Sequence, residues 1–194
     1  QLVYSFKGFI VVQPPKNSQW FNALPVPIRE SLSAKANTVR YQQGDVIIWQ
    51  QDDDDCALFC VISGAIKISS CSWEGKEAVL TYLAPGSWFG EIAMFDGRHR
   101  AHTAQAHEDA ELLKVSRANI MSMLANYPEF YAHIIQLLCE KVRLLMDVVE
   151  EASLQPLPTR LARRLMMLAG TFGVHTPLGI EIQLRLPQEE LGQM

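Results

Sequence analysis

Residues 89–104 read FGEIAMFDGRHRAHTA, a stretch that contains a glycine, a carboxylate and an arginine with chemistry suited to binding an anion. Gly90 can open a short helical turn, whose first backbone N–H groups are available to an anion. Arg100 supplies a planar guanidinium that matches phosphate oxygens, and the small Ala101 beside it allows close approach. Glu91 can accept hydrogen bonds from a sugar hydroxyl. The stretch therefore predicts a site for a phosphate-bearing ligand.

Short β-type runs surround this stretch. Gly64, Gly75, Gly86 and Gly97 fall 11 residues apart and mark turns between the runs. Regular turn signals of this kind are typical of an all-β barrel or sandwich. The predicted strands are residues 38–41, 46–50, 57–63, 65–71, 78–83, 103–106 and 110–115.

After Val115 the spacing of apolar residues becomes helical. Ser116 can cap a helix that runs to about Asn126, and Pro128 suits the first turn of a longer helix. Apolar residues in the longer helix alternate spacings of four and three, as in two helices that pack along their length. The predicted dimer seam consists of Tyr131, Ile135, Leu138, Val142, Leu145, Val149 and Ala152. The alternative is an amphipathic helix that packs only on its own β domain.

The C-terminal part begins with a predicted hinge at residues 154–158, where two prolines interrupt the helix. A helix is predicted from residue 159 to about 169, and an alternating strand at residues 180–186. Pro187 and the acidic residues after it favour the start of another helix. Because the chain stops inside that helix, at Met194, we expect the natural protein to be longer.

The composition is that of a globular protein, with 194 residues, 48% hydrophobic residues and a formal net charge of −4. These values exclude a disordered or fibrous chain. With no apolar run of membrane-spanning length and no signal peptide, we expect a cytoplasmic protein that has no membrane partner. The cysteines lack a C-x-x-C pair, which indicates four buried thiols rather than disulfides or a metal cluster: Cys56, Cys60, Cys71 and Cys139.

Two further patterns raise the question of metal binding. The four aspartates at residues 52–55 predict a solvated turn, because they lack the spaced ligands, glycine and distal glutamate of a calcium loop. His99, His102 and His107 surround the central stretch, and zinc or haem is an alternative to hydrogen-bonding or bystander roles there. No metal site is predicted.

The 89–104 stretch resembles the phosphate-binding cassette of cyclic-nucleotide-binding domains. The order of glycine-punctuated strands, cassette, heptad helix and the segment LPQEEL at residues 186–191 resembles the CRP/FNR superfamily of bacterial transcription regulators. From about Trp20 onward, the resemblance implies an α+β fold: an antiparallel β-roll (double-stranded β-helix) with flanking helices, a long dimerisation helix and a partial C-terminal winged helix-turn-helix. The implied domains are a β-roll sensor at residues 1–126, the dimerisation helix at 127–154 and the start of the DNA-binding domain at 155–194.

The resemblance also implies an effector site. By similarity, Glu91 binds the ribose 2′-hydroxyl, Arg100 binds the cyclic phosphate, and backbone groups from Gly90 to Ala93 bind the remaining phosphate oxygens. The implied effector-binding residues are Gly90, Glu91, Ile92, Ala93, Arg100 and Ala101, with Ile68, Leu80, Thr81, Leu83 and Phe89 lining the pocket and Leu145 and Met146 at its base end. No cofactor is obligatory, and the candidate effectors are cyclic AMP (cAMP), cyclic GMP (cGMP) and cyclic di-GMP.

Two positions depart from the cAMP-responsive pattern of the family. Those members usually carry a hydroxyl residue at the position of Ala101, and a Thr-Ser pair where this chain has Leu145 and Met146. Neither side chain can hydrogen-bond a purine amino group, and each such bond contributes about 1–3 kcal/mol. An apolar face can still stack on a purine. We therefore expect an intact phosphate–ribose end and an altered base selectivity.

The expected function is that of a homodimeric, allosteric transcription regulator and not of an enzyme. The effector sets the affinity of the C-terminal domain for double-stranded DNA, and RNA polymerase is a further implied partner. Three alternatives stay open. Glu91 and Arg100 form a structural salt bridge in a pocket without a nucleotide effector; the protein is a cupin-type metalloenzyme, although it lacks an H-x-H motif; or it is a cyclic-nucleotide module that does not bind DNA.

Overall fold

The computed structural model describes residues 4–6, 9–11, 14–52 and 56–187, with the backbone alone for the first two ranges. The chain divides into two compact units, of which the first ends at Phe130 and the second spans Tyr131–Pro187. Among the described residues, no helix combines the length and the apolar character that a bilayer crossing requires.

The first unit is built on antiparallel strands. Their bounds are β1 (Tyr4–Phe6), β2 (Phe9–Val11), β3 (Asn37–Tyr41), β4 (Val46–Ile48), β5 (Ala57–Ser63), β6 (Ile66–Cys71), β7 (Glu77–Leu83), β8 (Trp88–Phe89), β9 (Thr103–Ala106) and β10 (Ala110–Ser116). Within the described residues, two four-stranded sheets have the orders β3-β10-β5-β8 and β4-β9-β6-β7, and β1 pairs with β2. This interleaved order confirms the predicted β-roll.

The core of the roll lies between the two sheets, because alternate residues of each strand point inward. Ala57 and Phe59 of β5 meet Ile66 of β6 and Ala104 of β9 in one buried cluster. Phe59 stacks on Phe89, with ring centroids 5.2 Å apart. Such a pair contributes about 0.5–1.5 kcal/mol beyond its buried area. The strand that precedes Gly90 is therefore anchored in the middle of the roll.

Short helices flank the sheets: α1 (Gln19–Ala23), α2 (Val26–Lys35), α3 (Glu91–Asp96) and α4 (Arg117–Asn126). The predicted cap of α4 is confirmed, since the Ser116 hydroxyl accepts a hydrogen bond of 3.3 Å from the backbone N–H of Asn119. The end of α4 at Asn126 also agrees with the sequence. The sequence patterns did not predict α1, α2 or the two-residue strand β8, which is too short to show a period.

Aromatic packing joins α1 to β8. Trp20 meets Trp88 edge to face, with centroids 5.1 Å apart, and Phe21 stacks on Trp88 at 6.1 Å. The indole N–H of Trp88 donates a hydrogen bond of 2.9 Å to the Ser18 hydroxyl. These contacts satisfy the polar group of a buried tryptophan and hold β8 in place. The cassette therefore starts from a fixed strand.

The second unit contains most of α5 (Phe130–Leu154), followed by α6 (Leu157–Phe172), β11 (Gly173–Thr176) and β12 (Gly179–Ile182). The break between α5 and α6 agrees with the predicted hinge, and Pro156 is the N-cap of α6. α6 is longer than predicted. The predicted strand at 180–186 is shorter, because its partner β11 offers four residues for pairing and the ladder ends at Ile182.

Several predictions fall outside the described residues or stay untested. The helix predicted after Pro187 corresponds to residues 188–194, which lie outside them. The same holds for residues 53–55 of the aspartate run, whereas Asp52 is exposed. The three-domain division of the chain stays a prediction.

The prediction of four buried thiols is half wrong. Cys60 is buried and Cys56 is half-buried, but Cys71 and Cys139 are exposed, and these four cysteines are free thiols. Cys71 ends strand β6 at a hairpin, and Cys139 lies on a solvent-facing side of α5, so neither position is covered by the core. Burial raises the pKa of the Cys60 thiol far above its ordinary value.

Candidate effector site

The cassette begins at Gly90, which caps α3 in a left-handed conformation with φ of +97°. A side chain at this position would collide with the carbonyl oxygen of Ala57 on β5. Glycine is required here both for the backbone angle and for the close approach of the two segments. The turn places the first backbone N–H groups of α3, at Glu91, Ile92 and Ala93, at one end of the helix.

Arg100 is buried at the other end of the cassette, with 3% of its surface exposed. Its guanidinium Nη1 donates a hydrogen bond of 3.1 Å to the carbonyl oxygen of Gly90. Its backbone pairs with the segment after β4: the Arg100 N–H donates to Asp52 O at 3.0 Å, and the Gln51 N–H donates to Arg100 O at 2.8 Å. Gln51 has a left-handed φ of 68°. The two ends of the cassette are thus brought together by the arginine itself.

Glu91 is 1% exposed and is the first residue of α3. A carboxylate at a helix N-terminus is favoured by the positive end of the helix dipole. Burial of both Glu91 and Arg100 puts an acceptor and a donor of opposite charge in one water-poor region, where charge-assisted hydrogen bonds are strong. This combination suits a ligand that offers hydroxyls at one end and an anion at the other.

The predicted pocket lining lies mostly on the inner face of the second sheet. Ile68 of β6 lies opposite Thr81 of β7 and opposite Ala104 of β9, and paired residues of an antiparallel ladder share a face. Leu83 lies opposite Ile66 and packs against the core cluster, as Ile68 does. Phe89 is part of that cluster. The structure thus places Ile68, Thr81, Leu83 and Phe89 on the interior side of the roll.

Leu80 and Ile92 differ from the other predicted site residues. The β6–β7 register shifts after Ile68, which pairs with Thr81, so that Ser69 pairs with Val79 and Leu80 is the extra residue of a bulge. Leu80 is 38% exposed. The Ile92 side chain is also exposed, while Ala93 is buried. The predicted role of Ile92 depends on its backbone groups, so the exposure of its side chain does not affect that role. Whether Leu80 lines the pocket depends on the direction that the bulge gives its side chain.

His102 is a residue of the cassette for which the sequence favoured a hydrogen-bonding or bystander role over zinc or haem. Burial lowers the pKa of its imidazole below the ordinary value of 6.5, and the carboxylate of Glu91 opposes that shift. The charges of His102 and Glu91, the residue predicted to bind the ribose hydroxyl, therefore interact. His102 lies in a bend just ahead of β9, so the strand period does not determine the direction of its side chain. Among the described residues, no group of three or more potential metal ligands comes together.

The predicted seam lies on α5 in the second unit. Leu138 is half-buried, and the other six seam residues are exposed: Tyr131, Ile135, Val142, Leu145, Val149 and Ala152. Ile134 and Leu137, on a neighbouring stripe, are buried. Met146 is exposed beside Leu145. The seam and the base-end roles of Leu145 and Met146 stay predictions.

The amino-acid sequence of the chain is similar to those of a known domain family and of known transcriptional regulators. Residues 38–127, from β3 to just past α4, match the family described as "Cyclic nucleotide-binding domain". The chain is 26% identical over 164 residues to the "CRP-like cAMP-activated global transcriptional regulator" of Mycobacterium tuberculosis, which covers 84% of this chain and 73% of that protein. It is 30% identical over 144 residues to the "cAMP-activated global transcriptional regulator CRP" of Haemophilus influenzae, covering 73% and 63% respectively.

The fold is similar to the crystal structure of the Thermus thermophilus catabolite activator protein, with a TM-score of 0.61, 28% identity, and coverage of 69% of this chain and 62% of that one. The chain spans less than two thirds of that chain and of the Haemophilus protein. Residues 38–127 thus resemble the cyclic-nucleotide-binding class of domain in fold and in cassette. These similarities support the resemblance of the chain to the CRP/FNR superfamily of regulators. The relatives named here are transcriptional regulators and not enzymes, which agrees with the expectation.

Proposed function

We propose that this chain is the effector-sensing part of a cytoplasmic transcription regulator, and that a cyclic nucleotide bound in the cassette sets its affinity for DNA. The observation that carries the proposal is the buried Arg100, whose guanidinium reaches the Gly90 carbonyl inside a matched cyclic-nucleotide-binding domain. A buried cation at the mouth of a glycine turn is suited to a phosphodiester anion.

The ligand end of this site has a specific chemistry. Arg100 binds the cyclic phosphate, and the backbone at the start of α3 adds donors. Glu91 accepts a hydrogen bond from the ribose 2′-hydroxyl. This bond lets the site distinguish a ribonucleotide from a phosphate alone. Ala101 leaves space beside the phosphate. Each charge-assisted bond contributes about 1.5–3 kcal/mol in such a setting.

The base end is proposed to be unselective. Leu145 and Met146 offer apolar contact and no hydrogen bond to a purine. We therefore expect cAMP and cGMP to differ little in affinity, with cyclic di-GMP as a third candidate. A regulator with no nucleotide effector is the second candidate function, and the same two residues favour it, because they remove the base contacts.

Dimerisation is proposed to proceed through the α5 seam. Apolar residues at alternating spacings of four and three suit a two-helix coiled coil. The exposure of Val142, Leu145 and Val149 in the single chain supports this proposal, because an exposed apolar stripe is typical of an interface. The proposed partner is a second copy of the chain.

DNA binding is proposed for the part of the protein that follows the hinge, with RNA polymerase as a further partner. An effector that binds the DNA-competent state a hundredfold better than the other state shifts the equilibrium by about 2.7 kcal/mol. The hinge between Leu154 and Leu157 is the point where a change in α5 would reach α6.

The proposal is tested by calorimetric titration of the purified chain with cAMP, cGMP and cyclic di-GMP. Arg100→Ala should weaken the binding of each ligand by about 1.5–3 kcal/mol, roughly 10- to 150-fold in Kd. Arg98→Ala is the matched control, because Arg98 is exposed in the same loop and should leave Kd unchanged. Equal losses in the two variants would contradict the role of Arg100. No heat with any of the three ligands at near-millimolar concentration would overturn the nucleotide part of the proposal and favour the second candidate.

A further inference from the structure

We propose that Gln51 is a positioning residue of the effector site: its left-handed backbone holds Arg100 in place for a phosphate-bearing effector. The tolerance of residue 51 for this conformation then sets the affinity for the effector. This inference rests on the proposed function of the same site. It adds a residue outside the cassette that acts through its backbone and not through its side chain.

The first step is the unusual backbone of residue 51. The Asp52 N–H donates a hydrogen bond of 3.3 Å to Trp49 O, which closes a turn over residues 49–52. Gln51 is the third residue of this turn and has a φ of 68°, a positive value that the other described non-glycine residues do not share. A turn with a left-handed third residue favours glycine or asparagine there, because other side chains are strained in that conformation. Strain of this kind is found mainly at binding and active sites.

The second step is what holds the turn in this conformation. The Gln50 N–H donates a hydrogen bond of 3.1 Å to the Thr103 hydroxyl on β9. The side chain of Gln50 bonds to β6 at two points: Oε1 accepts the Cys71 N–H at 2.7 Å, and Nε2 donates to the Ser70 hydroxyl at 3.3 Å. These three bonds fix the start of the turn on the second sheet. The surroundings therefore impose the left-handed angle on Gln51.

The third step is the link from the turn to the arginine. The Gln51 N–H donates to Arg100 O at 2.8 Å, and the Arg100 N–H donates to Asp52 O at 3.0 Å. One bond thus lies before the left-handed Cα of Gln51 and the other lies after it, so this angle lets the turn pair with a single residue on both sides. The Arg100 guanidinium in turn donates to Gly90 O at 3.1 Å. Loss of the left-handed angle would break the backbone pairing and release the group that is proposed to bind the phosphate.

The fourth step is the effect on binding. The Gln51 side chain is exposed, so a substitution there changes the backbone preference with little change in packing. Glycine adopts a positive φ freely, asparagine adopts it more readily than most residues, and β-branched residues avoid it. A ligand that needs a preformed site has an apparent Kd equal to its intrinsic Kd divided by the fraction of molecules in the competent conformation. The affinity should therefore follow the left-handed tolerance of residue 51.

The experiment titrates cAMP, cGMP and cyclic di-GMP into four variants, taken in order of decreasing left-handed tolerance: Gln51→Gly, Gln51→Asn, Gln51→Ala and Gln51→Val. We expect Kd to increase in that order, by at least about fivefold between the first variant and the last. Gln42→Val is the matched control, because Gln42 is an exposed glutamine that begins another turn and has an ordinary φ. Its Kd should equal that of the wild type. Circular dichroism verifies folding, and the first three variants decide the question if Gln51→Val does not fold.

A double-mutant cycle separates positioning from a structural role. Gln51→Gly and Gln51→Val are repeated in an Arg100→Ala background, where the difference between their Kd values should shrink to less than about twofold, because the turn acts through Arg100. A turn that only stabilised the fold would change the melting temperature in both backgrounds and would leave Kd unchanged in both. If Arg100→Ala abolishes measurable binding, the order of the four variants and the Gln42→Val control decide the question.

Three outcomes are distinguishable. The expected order of Kd values for any one nucleotide, with Gln42→Val unchanged and the difference lost in the Arg100→Ala background, supports the inference. Equal Kd values across the four variants, or a difference that persists in the Arg100→Ala background, overturn it and leave the proposed function standing. Absence of binding to all three nucleotides in the wild type and in every variant overturns the proposed function, and this inference with it.

Discussion

The cassette and the α5 seam are the two surfaces on which the proposed function depends, and they differ most in burial. Arg100 and Glu91 are almost fully covered within one chain, whereas Leu145 on the seam is 60% exposed. Buried charges need their partners nearby, in the same chain. An exposed apolar stripe is typical of a surface that another molecule buries. The difference teaches that the proposed phosphate end of the site can be formed within one chain, while the seam is proposed to be completed by a second copy.

The largest expected effect breaks the seam. Val142→Lys places two ammonium groups at the centre of the apolar interface of the proposed dimer, at a cost on the order of 4 kcal/mol or more. Sedimentation velocity should show a monomer. Gln136→Lys adds the same charge at an exposed position outside the seam and should leave a dimer. A Val142→Lys protein that sediments as the wild type does would show that the seam is not the interface.

The next effect concerns the cassette alone. Gly90→Ala combines a left-handed backbone angle with a collision against the Ala57 carbonyl, and should lower the free energy of unfolding by about 3 kcal/mol. Gly97→Ala, at the other end of α3, has a similar angle but open space around it, so we expect a loss of about 1 kcal/mol. Chemical denaturation measures both. Similar losses in the two variants would mean that the close approach at Gly90 does not matter.

A smaller effect tests the helix that follows the roll. Ser116→Ala removes the hydroxyl that accepts the Asn119 N–H and should cost about 1 kcal/mol of unfolding free energy. Ser122→Ala, at an exposed interior position of the same helix, should be neutral or slightly stabilising because alanine favours helix. Thermal unfolding of the two variants gives the comparison, and a neutral Ser116→Ala would contradict the capping role.

The smallest effect depends on pH. The pKa of Glu77 lies below its ordinary value of 4.5. A hydrogen bond from Ser69 is the largest cause, partial burial opposes it, and the hydrogen bond and charge of Lys67 lower the pKa further. A depressed folded-state pKa contributes stability above the unfolded-state value, and this stability is lost as the pH falls through the folded-state pKa. Because Glu77 is partly exposed, we expect less than about 1 kcal/mol.

Denaturation at pH 7 and at about pH 3 should show this dependence. Glu77→Gln should be less stable than the wild type at pH 7, and the difference should shrink at pH 3. Glu74→Gln, in the exposed turn of the same hairpin, should match the wild type at both pH values. A Glu77→Gln deficit that stays constant with pH would contradict the linkage.

Much of the roll could be predicted from the sequence because glycines mark its turns. The runs at 57–63 and 103–106 match β5 and β9, and Ser116 and Asn126 bound α4 as expected. The bulge at Leu80 could not be predicted, since one extra residue changes the face of a side chain without changing the pattern of residue types. The exposure of Cys71 and Cys139 was missed because the burial of a cysteine depends on its position in the fold and not only on the general preference of thiols for burial.

The candidate site divides in the same way. Gly90, Glu91 and Arg100 could be proposed as site residues because their chemistry is local to one stretch of sequence, and their roles stay predictions. Leu145 and Met146 lie in a different unit of the chain, so their role depends on an arrangement that local sequence patterns do not determine.

The central claim is that the phosphate end of the effector site is complete within one chain, and titration of the Val142→Lys monomer with cAMP tests it most directly. We expect one cAMP per chain, a Kd within about tenfold of that of the wild-type dimer, and further weakening by Arg100→Ala of about 1.5–3 kcal/mol. Loss of binding in a folded monomer, while the dimer still binds cAMP, would contradict the claim.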